Sequence, residues 1–314
     1  YAYQYHYYNN TQDENLAFME DIRTLLNKYP GSVALGEISS EDSLKTMAEY
    51  TQGNSRLHMG YSFDLLTDDF TAGYIQQVVE SLEARVSDGW PCWSISNHDV
   101  QRVVSRWGCT QNAEQNSDLA KMLYALISSL RGSVCSYQGE ELGLTEADIA
   151  YEDLQDPYGI TFWPQFKGRD GCRTPHPWQH DKNNAGFSEG KPWLPVSADH
   201  FAKAVDIQEN DENSVLNSFR HFSQWRKAHT ALIQGDIEFI DSPEPLLTFN
   251  RLDDNKQLMV CFNLSSAKQI IKLSSLTTKP IEVLNDHQLI SGNIVDDELH
   301  LPPFASFYAY QITE

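Results

Sequence analysis

Glu37 stands directly after a three-residue apolar run, Val33-Ala34-Leu35, and a single glycine, Gly36. Such a run reads as a buried strand that delivers a carboxylate at its end. A second polar group, Asn97-His98-Asp99, closes the run Cys92-Trp93-Ser94-Ile95-Ser96 in the same manner. Taken singly, each has a plain alternative: a solvated loop glutamate, or a His and an Asp that satisfy one another in a loop. Taken together they bring two carboxylates and an imidazole to strand ends. Glycoside hydrolysis needs that equipment, with one carboxyl protonated for the leaving oxygen and another to attack or stabilise the cationic sugar carbon. Trp163, Trp178 and Trp193, in a long irregular stretch, offer flat faces for a sugar or anchors for the loop.

The elements that must position these residues follow from periodicity. Asp13 to Tyr29 reads as a helix, with Leu16, Met19, Ile22, Leu25, Leu26 and Tyr29 at three- and four-residue steps, stopped by Pro30-Gly31. A weaker helix surrounds Leu44, Met47 and Ala48; a mixed run covers Met59 to Leu66; another helix carries Ile75, Val78, Val79, Leu82 and Val86. A long helix carries Leu119, Met122, Leu123, Leu126, Ile127 and Leu130, and the run Ser133 to Tyr137 leads into Gln138-Gly139-Glu140-Glu141. Strand and helix thus alternate four times, which implies a parallel sheet covered by helices. Half of a (β/α)8 barrel and a small open sheet fit the spacing equally.

Residues 144–196 lack sustained periodicity, far beyond ordinary connection lengths, and such loops usually serve a site. Helices are expected near Phe201 to Ile207 and through Val215, Phe219, Phe222 and Trp225. After Gly235 six short strand-like runs follow, at Ile237–Ile240, Leu247–Phe249, Leu258–Leu264, Ile270–Leu273, Ile281–Leu284 and Phe307–Ile312. Residues 236–314 therefore read as a small antiparallel β domain.

Composition bounds the partners. The 314 residues include 40% hydrophobic and 11% aromatic side chains, enough for a packed core. With 44 acidic against 23 basic residues the formal charge is −21, so phosphate backbones and anionic lipid surfaces are repelled. Neither nucleic acid nor a membrane is expected as a partner, and a neutral substrate is compatible. Cys92, Cys109, Cys135, Cys172 and Cys261 form an odd, widely spaced set without metal-ligand spacing, as expected of free thiols in a reducing, cytoplasmic setting.

The stretches GEISSED at 36–42, SISNHDVQR at 94–102, YQGEELGL at 137–144, GRDGCRTPHPW at 168–178 and AGFSEGKPWLPV at 185–196 closely resemble the α-glucosidase and oligo-1,6-glucosidase branch of the α-amylase family, glycoside hydrolase family 13. The resemblance runs the length of the chain, in order. It implies strands five to eight of a (β/α)8 TIM barrel over residues 1–235 and a β-sandwich over residues 236–314. It implies Glu37 as general acid/base and Asp99 as the carboxylate that binds ring hydroxyls and stabilises the oxocarbenium-like transition state. His98 matches a sugar-binding imidazole, and Arg173 an arginine that closes the pocket around the terminal glucose. The implied activity is carbohydrate metabolism by a retaining α-glucosidase acting on short oligosaccharides, with no cofactor and no metal claimed.

One departure matters. The family's nucleophile lies in a GFRxD-type stretch at the end of the fourth barrel strand, and these 314 residues contain none. The expectation is therefore a chain that is inactive by itself and completed by the N-terminal half of the barrel. A non-catalytic relative used as a binding or assembly subunit is the alternative. Transfer of glucose to an acceptor other than water stays open, as does the choice between α-1,4 and α-1,6 linkages.

Overall fold

The computed structural model describes residues 7–86, 89–108, 113–253 and 256–312, and the statements below concern these. The chain divides into two compact units. The first holds the residues up to Thr67, Tyr74–Ser94 and Gly132–Cys135; the second holds Asp68–Gly73, Ile95–Arg131 and Ser136 onward.

In the first unit four short strands run parallel. β1 (Leu35–Ile38) pairs with β2 (Met59–Ser62), β3 (Cys92–Trp93) pairs with β4 (Ser133–Val134), and a parallel bridge joins Gly60 to Pro91. Helices α1 (Glu14–Leu26), α2 (Ser43–Thr51) and α3 (Ala72–Arg85) alternate with them. The last two runs give strands of only two residues, much shorter than their apolar stretches suggest. The interior is built by Met47 of α2 and by Ile75, Val78, Val79 and Leu82 of α3, all buried, on the three- and four-residue steps of an amphipathic helix.

Helix α1 forms as expected but buries none of its residues fully, and Leu25 and Tyr29 are exposed. Polar contacts hold it: Asn15 Nδ2 donates to the Tyr50 hydroxyl at 3.0 Å and Arg23 Nη1 to the Arg56 carbonyl at 2.8 Å. The apolar run before Glu37 is likewise not buried, since Val33 and Leu35 are largely exposed. Among the described strands β1 pairs on one side only, with β2.

The second unit contains α4 (Val103–Arg106), α5 (Ala113–Ser129), α6 (Pro157–Phe162), α7 (Ala198–Phe201), α8 (Val205–Glu209), α9 (Val215–Ala228) and α10 (Thr230–Gln234). Its strands are β5 (Asp236–Ile240), β6 (Leu246–Asp253), β7 (Lys256–Asn263), β8 (Gln269–Lys272), β9 (Ile281–Leu284), β10 (Asn293–Val295), β11 (Glu298–Leu301) and β12 (Ser306–Gln311). A five-stranded antiparallel sheet has the order β5-β6-β7-β12-β9, and a three-stranded one the order β10-β11-β8.

Side-chain alternation gives the central strands two covered faces. Met259, Cys261, Phe307 and Ala309 face a core shared with Ile271, Leu299 and Leu301 of the smaller sheet. On the opposite face Tyr308 meets Trp225 of α9, with ring centroids 5.0 Å apart, and its hydroxyl lies 2.9 Å from Ser129 Oγ of α5. Strands covered on both sides lose the polar-apolar alternation, which is why 258–264 reads as one apolar run. All six expected runs are strands. Sequence reading missed β10 and β11, which are three and four residues long and expose Asn293, Val295 and Glu298.

Arg251 on β6 is wholly buried and ties the sheet to the helix ends. Its Nη1 donates to the carbonyls of Ser129 (2.7 Å) and Leu130 (2.9 Å), and its Nη2 to that of Gly235 (2.6 Å). These carbonyls belong to the C-terminal ends of α5 and α10, where unpaired acceptors and the helix dipole both favour a cation.

Candidate active site

Glu37 is the third residue of β1, opposite Tyr61 of β2 in register, and its side chain is exposed. It therefore sits within the strand, not after it. Gly36, immediately before it, pairs with Gly60, and a Cβ at Gly36 would lie 2.7 Å from Leu57 Cδ1. The two glycines let β1 and β2 close against Leu57 and Ile38, which fixes the backbone that carries Glu37. Cys135, just past β4, belongs to the same unit; a hydrogen bond from the Cys92 thiol holds it down at about 7, against burial and the charge of Glu37. The same bond, with burial, pushes Cys92 up.

The other three expected site residues belong to the second unit, where the structure brings them together. Asn97 Oδ1 accepts from the Asp99 backbone N–H at 2.8 Å, an Asx turn that sets the direction of the Asp99 side chain. Asp99 Oδ1 accepts from Arg169 Nη1 at 2.9 Å and from Arg173 Nη2 at 3.0 Å. Arg173 Nε also donates to the His98 carbonyl at 2.7 Å, and His98 Nε2 lies 3.7 Å from Asp99 Oδ1. With two guanidinium groups on one oxygen, the carboxylate is oriented by charge-assisted bonds while its side chain stays 33% exposed.

Arg169 is in turn held from behind. Its Nε and Nη2 donate to the two oxygens of Asp156 at 2.9 and 3.0 Å, a bidentate pair, and its own backbone N–H reaches Asp156 Oδ2 at 2.8 Å. Bonding to Arg169 holds the Asp156 carboxyl down at about 2. Asp170, fully buried, accepts from the backbone N–H groups of Gln155 and Asp156. Gly168 makes this possible at φ +76°, and a Cβ there would meet the Gly159 Cα at 2.8 Å and Asp156 Oδ2 at 2.9 Å.

Beside Arg173 opens a cleft of about 560 Å³ lined by Glu141, His176, Trp178, Phe187 and Trp193. His176 Nε2 and Glu141 Oε1 are 2.6 Å apart; burial raises Glu141, and the His176 bond overcomes this to leave it lowered. Trp178 and Trp193 are 50% and 61% exposed, and the Trp178 ring centre lies 4.5 Å from that of His176. Trp163 differs. It packs against Ala147, Ile149, Leu154 and Leu194, with Lys167 Nζ 5.6 Å from its ring centre, and so anchors the loop. A smaller cleft, about 260 Å³, runs along Asp99, Glu146, Phe166 and Arg169. Burial pushes Glu146 up, against the pull of Arg102.

Sequence reading singled out Asp99, His98 and Arg173, which the structure brings together, but not Arg169, Asp156 and Asp170, which join them. Arg169 and Asp170 lie inside the quoted GRDGCRTPHPW stretch, and Asp156-Pro157 is a helix-start signal for α6. Nothing local showed that Asp156 would meet Arg169.

A model of the α-amylase catalytic domain matches residues 3–235. The chain belongs to the α-amylase family of glycoside hydrolases. Within it, a relative named probable α-glucosidase, from Rhizobium meliloti (strain 1021), is 43% identical over 311 residues, covering 98% of this chain and 55% of its own. The oligo-1,6-glucosidase of Parageobacillus thermoglucosidasius is 31% identical over 204 residues, covering 59% of this chain and 36% of its own. Among solved structures, the α-glucosyl transfer enzyme XgtA superposes with a TM-score of 0.92 at 53% identity, covering 99% of this α-amylase-family chain and 57% of its own. The chain thus spans between 36% and 57% of the length of these relatives. No helix among the described residues is long and apolar enough to cross a membrane.

Proposed function

We propose that this chain supplies the proton donor and a transition-state-stabilising carboxylate of a retaining α-glucosidase that removes terminal α-linked glucose from short oligosaccharides. The observation that carries the reading is Asp99 held on one oxygen by Arg169 and Arg173. A carboxylate so fixed and still partly open to a cleft suits a sugar carbon that gains positive charge only in the transition state. The 43% identity to a probable α-glucosidase supports the same substrate class. In domain terms, residues 1–235 are strands five to eight of the barrel with their helices, and residues 236–314 the C-terminal β-sandwich. Cys92, Cys135, Cys172 and Cys261 are free thiols, which supports a cytoplasmic setting, while Cys109 lies outside the described residues.

In this mechanism an aspartate from chain outside these 314 residues attacks the anomeric carbon while Glu37 gives its proton to the departing oxygen. A covalent glucosyl ester forms and the glycosidic bond breaks. Glu37, now a carboxylate, takes a proton from water, which attacks the same carbon, releases the aspartate and leaves the α anomer. His98 and Arg173 bind hydroxyls of the terminal glucose.

A second reading, transfer of the glucosyl group to an acceptor hydroxyl in place of water, is supported by the 53% identity to an α-glucosyl transfer enzyme. One experiment addresses both. The full-length enzyme is given maltose, isomaltose and an aryl α-glucoside, and the first-formed anomer and the ratio of transferred to free glucose are followed by NMR. Release of β-glucose would overturn the retaining mechanism, and absence of turnover on all three would favour a non-catalytic binding role. The 314 residues alone are expected to show no turnover.

A further inference from the structure

We propose that Asp156 is a positioning residue: acting through Arg169, it aims the Asp99 carboxylate from outside the substrate site. The proposal rests on Asp99 serving the glucosidase reaction proposed above.

Arg169 stands between two carboxylates and divides its guanidinium between them. Nη1 goes to Asp99 Oδ1, while Nε and Nη2 go to Asp156. Asp99 is partly exposed, whereas Asp156 is 1% exposed, so the buried end of the bridge is the fixed one. The two bonds of the bidentate pair set the plane of the guanidinium, the backbone bond fixes its root, and that plane determines where Nη1 points.

Asp156 cannot drift either. Its backbone N–H is fixed by the buried Asp170 at 2.8 Å, its Oδ1 accepts from the Tyr158 N–H at 3.2 Å, and Gly159 and Gly168 pack backbone against backbone beside it. The carbonyl of Asp170 takes the Arg173 N–H at 3.0 Å. Both arginines that reach Asp99 are thus mounted on one buried frame built on Asp156 and Asp170. A frame of this kind serves orientation, because a simple ion pair for stability would need neither the third bond nor the second arginine.

The test uses the full-length enzyme with Asp156→Asn. The amide offers one acceptor where the guanidinium presents two donors, so one bond of the pair must break and Arg169 must turn. The expected result is a fall in kcat of roughly 10- to 100-fold on an aryl α-glucoside, with KM within about threefold, the size of loss that a small misplacement of a reacting group produces. Arg169→Ala should cost as much, and the double variant Asp156→Asn/Arg169→Ala no more than Arg169→Ala alone, since both act through one contact. An additive double variant, or an Asp156→Asn enzyme with lowered Tm and unchanged kcat, overturns the proposal. If Asp156→Asn does not fold, Arg169→Lys replaces it: a single ammonium cannot span both carboxylates, and the same kcat loss is expected. A crystal structure of the variant decides independently of activity. Nη1 displaced beyond 3.5 Å from Asp99 supports the proposal and an unmoved contact refutes it, so an inactive wild-type enzyme would strike the glucosidase reading alone.

Discussion

Arg173 Nη2 donates to Asp99 Oδ1 at 3.0 Å although the two residues lie 74 positions apart, and the same guanidinium grips the His98 carbonyl at 2.7 Å. An arginine expected to close a glucose pocket, with a structural ion pair as its plainer role, builds the turn that presents His98 and Asp99. Its truncation should then affect rate as well as binding. In the full-length enzyme Arg173→Ala is expected to raise KM and lower kcat together, and steady-state kinetics on maltose will show whether both move.

Asp99→Asn keeps the shape of the side chain and removes the charge. Because that charge matters most when the ring becomes cationic, kcat should fall by roughly 10²–10³-fold while KM changes little. A wild-type kcat with only a raised KM would contradict the assignment.

In the mechanism proposed above, Glu37→Gln removes the proton that the departing oxygen needs. Turnover of maltose or isomaltose should drop by roughly 10²–10⁴-fold. An aryl glucoside with an acidic phenol, which leaves without that proton, should lose less in the first step. Unchanged maltose turnover would remove Glu37 from the acid role.

Two buried histidines set an acid limit to stability. Burial holds His200 and His287 down at about 4, below the ordinary 6.5. Unfolding lets both take up protons, so their contribution is complete above pH 6.5 and is lost as pH falls from 6.5 towards 4. Urea unfolding should show a lower midpoint at pH 5 than at pH 7, and His200→Gln with His287→Gln should flatten that difference. Asp156, held at about 2, keeps its pair with Arg169 until well below this window.

Arg251→Met would leave the carbonyls at the ends of α5 and α10 without their donor inside the fold. With each buried, unpaired acceptor costing about 1–3 kcal/mol, a loss of at least about 3 kcal/mol is expected, measured by denaturant unfolding.

By itself the sequence determined most of the elements and pointed to the residues of the expected site. Helix stripes such as Leu119 to Leu130 and strand runs such as Leu258 to Leu264 are legible because burial imposes periods of 3.6 and 2, or continuous apolarity, on neighbouring positions. The carboxylates Glu37 and Asp99 are legible because each closes such a run inside a family motif. Tertiary structure alone decided how Asp99 is held. Asp156, Arg169 and Asp170 meet through a loop without periodicity, and a salt bridge between residues far apart in the chain leaves no spacing to read. It also decided what covers each strand: Val33 and Leu35 look like core by composition yet lie open, whereas the charged Arg251 is buried, because burial depends on which surface packs against the residue and on whether its donors find acceptors there.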